Sequence, residues 1–404
     1  MKNKINYKNF IPKKYLSFKS NKNLNANFIK NLKKIIGSLD VNNNIFYSLS
    51  HKFKFNFNIK DLQKFRKFKE VVIIGMGGSI LGSEAIYSFF KNKIKKDFLF
   101  FNDIDDDKLQ IFKKNKNLNK ILFIVVSKSG NTIETLSNLM ALKILKKNSK
   151  NLIIITERNN NILFTLTKKM NLYFVEHKKY IGGRYSVLSE VGMLPAYLMG
   201  LNIRNLRSNL LTHLKSKKRK FLKESVIKIA NILKRNNLKN IIYLNYVPKL
   251  NKFLYWKQQL VAESLGKKGK GFLPLVSKAP KDHHSLLQLY LDGPKDKLFY
   301  IFSSKLEKSK IIKANHLCKN LKFLDNKSLD KIKLAQKNAL IKVLKRKKIP
   351  FREFMIKDFS EQTFGELISY FILETTLIGK LSNINPFDQP AVEQVKINTK
   401  KLLN

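Results

Sequence analysis

The sequence predicts an α/β fold of two units, each a parallel sheet covered by helices. Three observations carry this. Apolar runs too continuous to alternate between a wet and a dry face recur from Val71 onward, as in VVIIG, DFLFF, ILFIVV, NLIIIT and NLYFVE. Such runs belong to strands buried on both faces. Segments with apolar spacings of three and four separate them, the alternation that builds parallel sheets. A second cycle of the same kind opens at NIIYLNY, Asn240 to Tyr246.

Taken in order, residues 1–60 are rich in Asn and Lys, show short helical patterns such as NFIKNLKKIIGSL, and form an N-terminal helical segment without recognisable chemistry. Residues 61–202 form the first α/β unit. Its first strand runs into GMGGSILGSEA, Gly75 to Ala85, where glycines let the backbone approach a ligand and Ser79 adds a hydroxyl at a helix start. A dinucleotide fingerprint needs a glycine where Ile80 stands, so a nicotinamide or nucleotide cofactor is disfavoured, although Asp103 could imitate the ribose-binding acid. Further on, ILFIVV meets Ser127, Lys128, Ser129, Gly130, Asn131 and Thr132, after which apolar residues return at Ile133, Leu136, Met140 and Ile144. Hydroxyls at a helix N-terminus suit an anion such as phosphate, and equally suit plain capping. In GGRYSVLSEVGMLP, Arg184 offers a planar charged fork beside two glycines.

Residues 203–239 are a Lys-rich helical connector and residues 240–385 the second α/β unit, with further strands expected at LFYIF (298–302) and LKFLD (321–325). WKQQLVAESLGKKGKGFLP places Glu263 near the end of a helical stretch, where a carboxylate can serve as a general base. KDHHSLLQL supplies His283 and His284, which as neighbours cannot share one face of a helix or strand. TFGELISYFILETTLIGK reads as a helix opened by a Thr363, Glu366 capping box. Residues 386–404 form a C-terminal loop and helix, in which the prolines of INPFDQPAVEQVK fix a loop that presents Gln389 and Lys396.

Composition narrows the function. With 404 residues, 44% of them hydrophobic, the chain can bury sizeable cores. The 80 Lys and Arg against 28 Asp and Glu give a formal charge of +52. The excess is mostly Lys, spread over the chain, and travels with Asn and Ile, as an A/T-rich coding sequence would produce. No base-reading module or run of stacking aromatics accompanies it, so nucleic acid is not expected as a partner. One cysteine, Cys318, rules out an internal disulfide. Neither a membrane span nor an apolar leader is seen, and a soluble cytoplasmic protein is expected. No His or Cys spacing suits a metal.

Five motifs in this order resemble the glucose-6-phosphate isomerase (phosphoglucose isomerase) family from about residue 70 to 400: GMGGSILG, SKSGNTIET, GGRYSVLS, AESLGKKGKG with DHHSLLQL, and NPFDQPAVEQVK. The resemblance implies two SIS-type three-layer α/β/α domains with parallel sheets and a C-terminal helical arm, usually in a homodimer with shared active sites, and no cofactor. It implies a sugar-phosphate pocket at Gly78, Ser79, Ser127, Lys128, Ser129 and Thr132, with Glu263 as the catalytic base. Arg184 would face the developing enediolate, His284 with Lys396 would open the ring, and Glu134, Gln259 and Gln389 would complete the pocket. Ala279 and Pro280 stand where the family more often has Gly and Thr. Two rivals remain: a bifunctional phosphoglucose/phosphomannose isomerase, and a non-catalytic SIS protein that senses phosphosugars.

Overall fold

The computed structural model describes residues 4–17, 21–305, 310–314 and 318–403. Its strands are β1 Ile5–Phe10, β2 Glu70–Gly75, β3 Asp97–Phe101, β4 Ile121–Val126, β5 Leu152–Thr156, β6 Tyr173–Glu176, β7 Asn240–Asn245, β8 Leu273–Lys278, β9 Lys297–Ser304, the short pair β10 Ile311–Ile312 and β11 Lys327–Ser328, and β12 Phe351–Ile356. One sheet has the order β3-β2-β4-β5-β6 and is parallel throughout. A second has the order β1-β12-β9-β7-β8, parallel except for β1, which runs antiparallel to β12. Every residue of β4 and β5 is buried. Burial on both faces is the reason those runs do not alternate.

Three expectations are corrected. The N-terminal segment is not wholly helical, because Ile5–Phe10 closes the edge of the second sheet. LKFLD forms no strand: a short 3₁₀ turn at Lys319–Leu321 and further turns occupy that stretch. The sheet instead continues into Phe351–Ile356, whose Arg352 and Glu353 disguise it. Both are buried, Arg352 against Glu374 at 2.7 Å and Glu353 against Lys337, and a buried charge persists only when so paired. Lastly, the helix Glu361–Leu381 is capped by Ser360, whose Oγ accepts from Thr363 N, so Thr363 lies inside it. Glu366 turns inward to Lys218 and His213.

That helix is buried over almost its whole length and is the axis of the molecule. Against it pack the helices Ser216–Arg235 and Asn251–Leu265, the latter also lying on Leu81–Phe90 of the first unit. One continuous core therefore runs from Val71 and Ile73 of β2 through Trp256 and Phe371 to Tyr300 and Phe354 of the second sheet.

Candidate active site

In the first sheet, β2 lies between β3 and β4, so the chain leaves β2 toward one side and returns on the other. Ligands of open α/β sheets bind in the crevice at the carboxyl ends of the strands where this reversal occurs. Two polar turns leave there side by side. Gly75, the last residue of β2, is paired with Val126, the last of β4, and the turns Met76–Ile80 and Ser127–Thr132 follow them.

The hydroxyls of the second turn do not cap. Thr132 precedes the helix Ile133–Ala141 without bonding its backbone, and its Oγ1 lies 3.0 Å from Ser127 Oγ, which accepts from Gly130 N–H at 3.1 Å. Ser127 is buried, Ser129 is exposed, and Thr132 and Glu134 are half-buried on the rim. Gly130 adopts φ +66°, and a Cβ there would lie 1.7 Å from Asn161 Oδ1, so no other residue fits. Lys128 Nζ lies 3.5 Å from Glu157 Oε1. Beyond β6, buried His177 has its pKa pushed down to about 4, chiefly by burial and then by the charge of Lys128.

The first turn ties this pocket to a second cluster. A Cβ on Gly78 would sit 2.2 Å from the carbonyl carbon of Gly183, and this backbone contact seats Arg184 beside the turn. Ser79, at the end of the turn, is half-buried. Arg184 is 2% exposed. Its Nε donates to Ser264 Oγ at 2.8 Å, its Nη1 to Glu263 Oε2 at 2.9 Å and Gln389 Oε1 at 2.7 Å, and its Nη2 to the carbonyls of Pro386 at 2.7 Å and Asp388 at 3.1 Å. Every N–H of the guanidinium is thus engaged. Buried or backbone groups hold Nε and Nη2, whereas the partners of Nη1 are partly or fully exposed, so Nη1 is the edge open to a ligand. Glu263 Oε1 accepts from Gln259 Nε2 at 2.8 Å, one helical turn earlier. Both carboxylate oxygens are therefore oriented.

Other residues, not singled out in the sequence, complete this setting. Tyr185 OH donates to the Pro386 carbonyl at 2.7 Å, Trp256 Nε1 to the Arg184 carbonyl at 2.9 Å, and Lys267 Nζ to Asp388 Oδ1 at 2.7 Å. The Lys267 contact holds the Asp388 carboxyl below its usual range. Tyr185 directly follows Arg184, and Trp256 and Lys267 lie within about one helical turn of Gln259 and Glu263, which was the only signal available in the sequence.

His284 and Lys396 do not join the cluster. His284 is exposed on the turn after β8, where His283 is anchored by Tyr246 OH at 2.8 Å and Asp282 Oδ2 accepts from Lys278 N at 2.7 Å. Lys396 lies on the exposed helix Glu393–Leu403, bonded to Glu393 at 2.7 Å. Among the described residues no group of three or more His, Cys, Asp and Glu side chains is placed to hold a metal.

Two helix-covered parallel sheets of this order, with a hydroxyl-rich turn at the reversal of the first, define an SIS-type α/β protein of the phosphosugar isomerase class. Solved structures agree at the level of the fold: a hypothetical protein from Thermus thermophilus superimposes with a TM-score of 0.77 at 22% identity, covering 98% of this chain and 100% of that one. A glucose-6-phosphate isomerase from Chlamydia trachomatis superimposes with a TM-score of 0.71 at 20% identity, over 85% and 71%. The phosphoglucose isomerase family model matches residues 60–404, and the chain belongs to that family. The glucose-6-phosphate isomerase of Methanocaldococcus jannaschii is 32% identical over 352 residues, 84% of this chain and 85% of the relative.

Proposed function

We propose that the chain interconverts D-glucose 6-phosphate and D-fructose 6-phosphate through a cis-enediol intermediate. The observation that carries this reading is the buried Arg184 guanidinium holding Glu263 at 2.9 Å beside the Ser127–Thr132 turn. The turn, with Gly78 and Ser79, takes the 6-phosphate, and its binding energy positions the sugar carbons. Glu263 moves a proton between C2 and C1, while the Nη1 edge of Arg184 stabilises the negative oxygen that develops. Glu134, Gln259 and Gln389 orient the substrate and the base.

Ring opening needs a proton at the ring oxygen, the role of His284 with Lys396. Both are exposed and make no bond to the Arg184 cluster within one chain. This supports a homodimer in which His284 enters the partner's site, as the family resemblance implies. The compartment of such an enzyme is the cytoplasm; no helix among the described residues is long and apolar enough to cross a membrane. The first SIS domain spans 61–202 and the second 240–385, with 203–239 as connector. A sensor that only binds phosphosugars has no use for an oriented carboxylate. A coupled assay with glucose 6-phosphate, fructose 6-phosphate and mannose 6-phosphate tests the reading: turnover of the first two supports it, turnover of the third widens it to a bifunctional enzyme, and no turnover of any contradicts it.

A further inference from the structure

The second sheet repeats the strand order of the first, with β7, β8, β9 and β12 in the places of β2, β3, β4 and β5. The registers correspond residue for residue. Glu70 pairs with Ile121 and Gly75 with Val126, while Asn240 pairs with Lys297 and Asn245 with Phe302. The residue after the last pair is Ser127 in the first sheet and Ser303 in the second. Ser304 and Lys305 then take the places of Lys128 and Ser129. A serine thus stands at the same point of both reversals, where ligands of such sheets bind.

We propose that this second reversal is an anion site for a phosphate-sized oxyanion, separate from the isomerisation site and not dependent on that reading. Ser303 is 3% exposed, and its Oγ has no hydrogen-bond partner among the described residues. A buried hydroxyl left unpaired is unfavourable and calls for an acceptor. It lines a small, open cleft together with Tyr246, Ser304, Lys305, Asp330 and Lys333. Lys333 Nζ lies 2.8 Å from Asp330 Oδ1 and takes up its charge, leaving exposed Lys305 as the cation for the ligand. Tyr246 OH is hydrogen-bonded to His283 Nε2 at 2.8 Å, so it contributes a wall. Ser303 Oγ–H donates to the anion and Lys305 supplies the charge. The anion is either free phosphate or the phosphoryl group of a sugar phosphate.

Equilibrium dialysis of the full chain against labelled inorganic phosphate, at about 0.15 M salt to screen the general basic charge, tests this. The expected result is two saturable phosphates per native chain, one in Ser303→Ala and one in Ser127→Ala with Thr132→Ala. At the second site Ser303→Ala and, separately, Lys305→Ala lower the affinity roughly tenfold or more, as loss of a contact to a charged group does. Ser303→Ala keeps native isomerisation and folding, since only an unpaired hydroxyl is removed. In the Ser127, Thr132 double variant, displacement of the remaining phosphate by glucose 6-phosphate identifies the sugar phosphate as the ligand, and lack of displacement identifies the free anion. Phosphate uptake unchanged by both Ser303→Ala and Lys305→Ala overturns the proposal. A double variant that still takes up two phosphates counts against the first turn instead.

Discussion

At the scale of single residues, the site rests on the geometry between Arg184 and Glu263. Replacing Glu263 by Gln keeps the shape and the Gln259 contact but removes the proposed proton carrier, while leaving the proposed phosphate turn untouched. Isomerisation should stop and phosphosugar affinity should stay within a few fold. Deuterium exchange from solvent into C1 and C2 checks this, and exchange at the native rate would show that another group is the base. Arg184, Glu263 and the serine turn were legible in the sequence because charge and hydroxyl types stand out at the ends of apolar runs. Ser264, Tyr185 and the Pro386 carbonyl were not. Ser264 and the Pro386 carbonyl act on Arg184 from distant positions in the chain, and Tyr185, although next to it, works through that same Pro386 carbonyl, a contact its local sequence does not indicate.

At the scale of elements, the loop that reads Arg184 with two carbonyls is pinned by Lys267, which bonds Asp388 at 2.7 Å and the Asn385 carbonyl. Lys267→Ala should lower kcat several-fold with a smaller change in KM, and Lys267→Arg should recover part of it, because the loop acts chiefly by positioning the Arg184 cation. Steady-state kinetics on the three proteins decide this, and equal kcat values would remove the loop from the account. The end of β6 carries a pH dependence. His177 is neutral when folded, with a pKa of about 4 against 6.5 for a free side chain. Between those values the unfolded chain binds a proton that the folded chain refuses, so stability falls as pH drops from 6.5 toward 4 and this contribution levels off below. The loss amounts to about 3 kcal/mol. Urea unfolding at pH 7 and pH 4.5 should show a shallower drop for His177→Asn than for the native chain. Of the elements, the fully buried strands were read correctly since almost nothing but apolar residues occupies them. β8 was missed because it is an edge strand with Leu273 and Leu275 exposed, and β12 because its charges are satisfied only by partners far along the chain.

At the scale of the whole molecule, one chain brings together Glu263, Arg184 and the Ser127–Thr132 turn, while His284 stays on an exposed turn. If His284 works in the partner's site, each site takes Glu263 from one chain and His284 from the other. A heterodimer of a Glu263→Gln chain with a His284→Ala chain then has one site with both defects and one with neither. Random co-assembly makes about half the dimers mixed, so the mixture should recover roughly a quarter of native activity although each homodimer is dead, by the counting that two-fold symmetry imposes. The decisive measurement is fructose 6-phosphate conversion by the two variants after joint unfolding and refolding, with a tag-based pull-down confirming mixed dimers. Recovery near a quarter is the predicted result, and activity no higher than that of the separate variants, with mixed dimers present, would contradict the shared site.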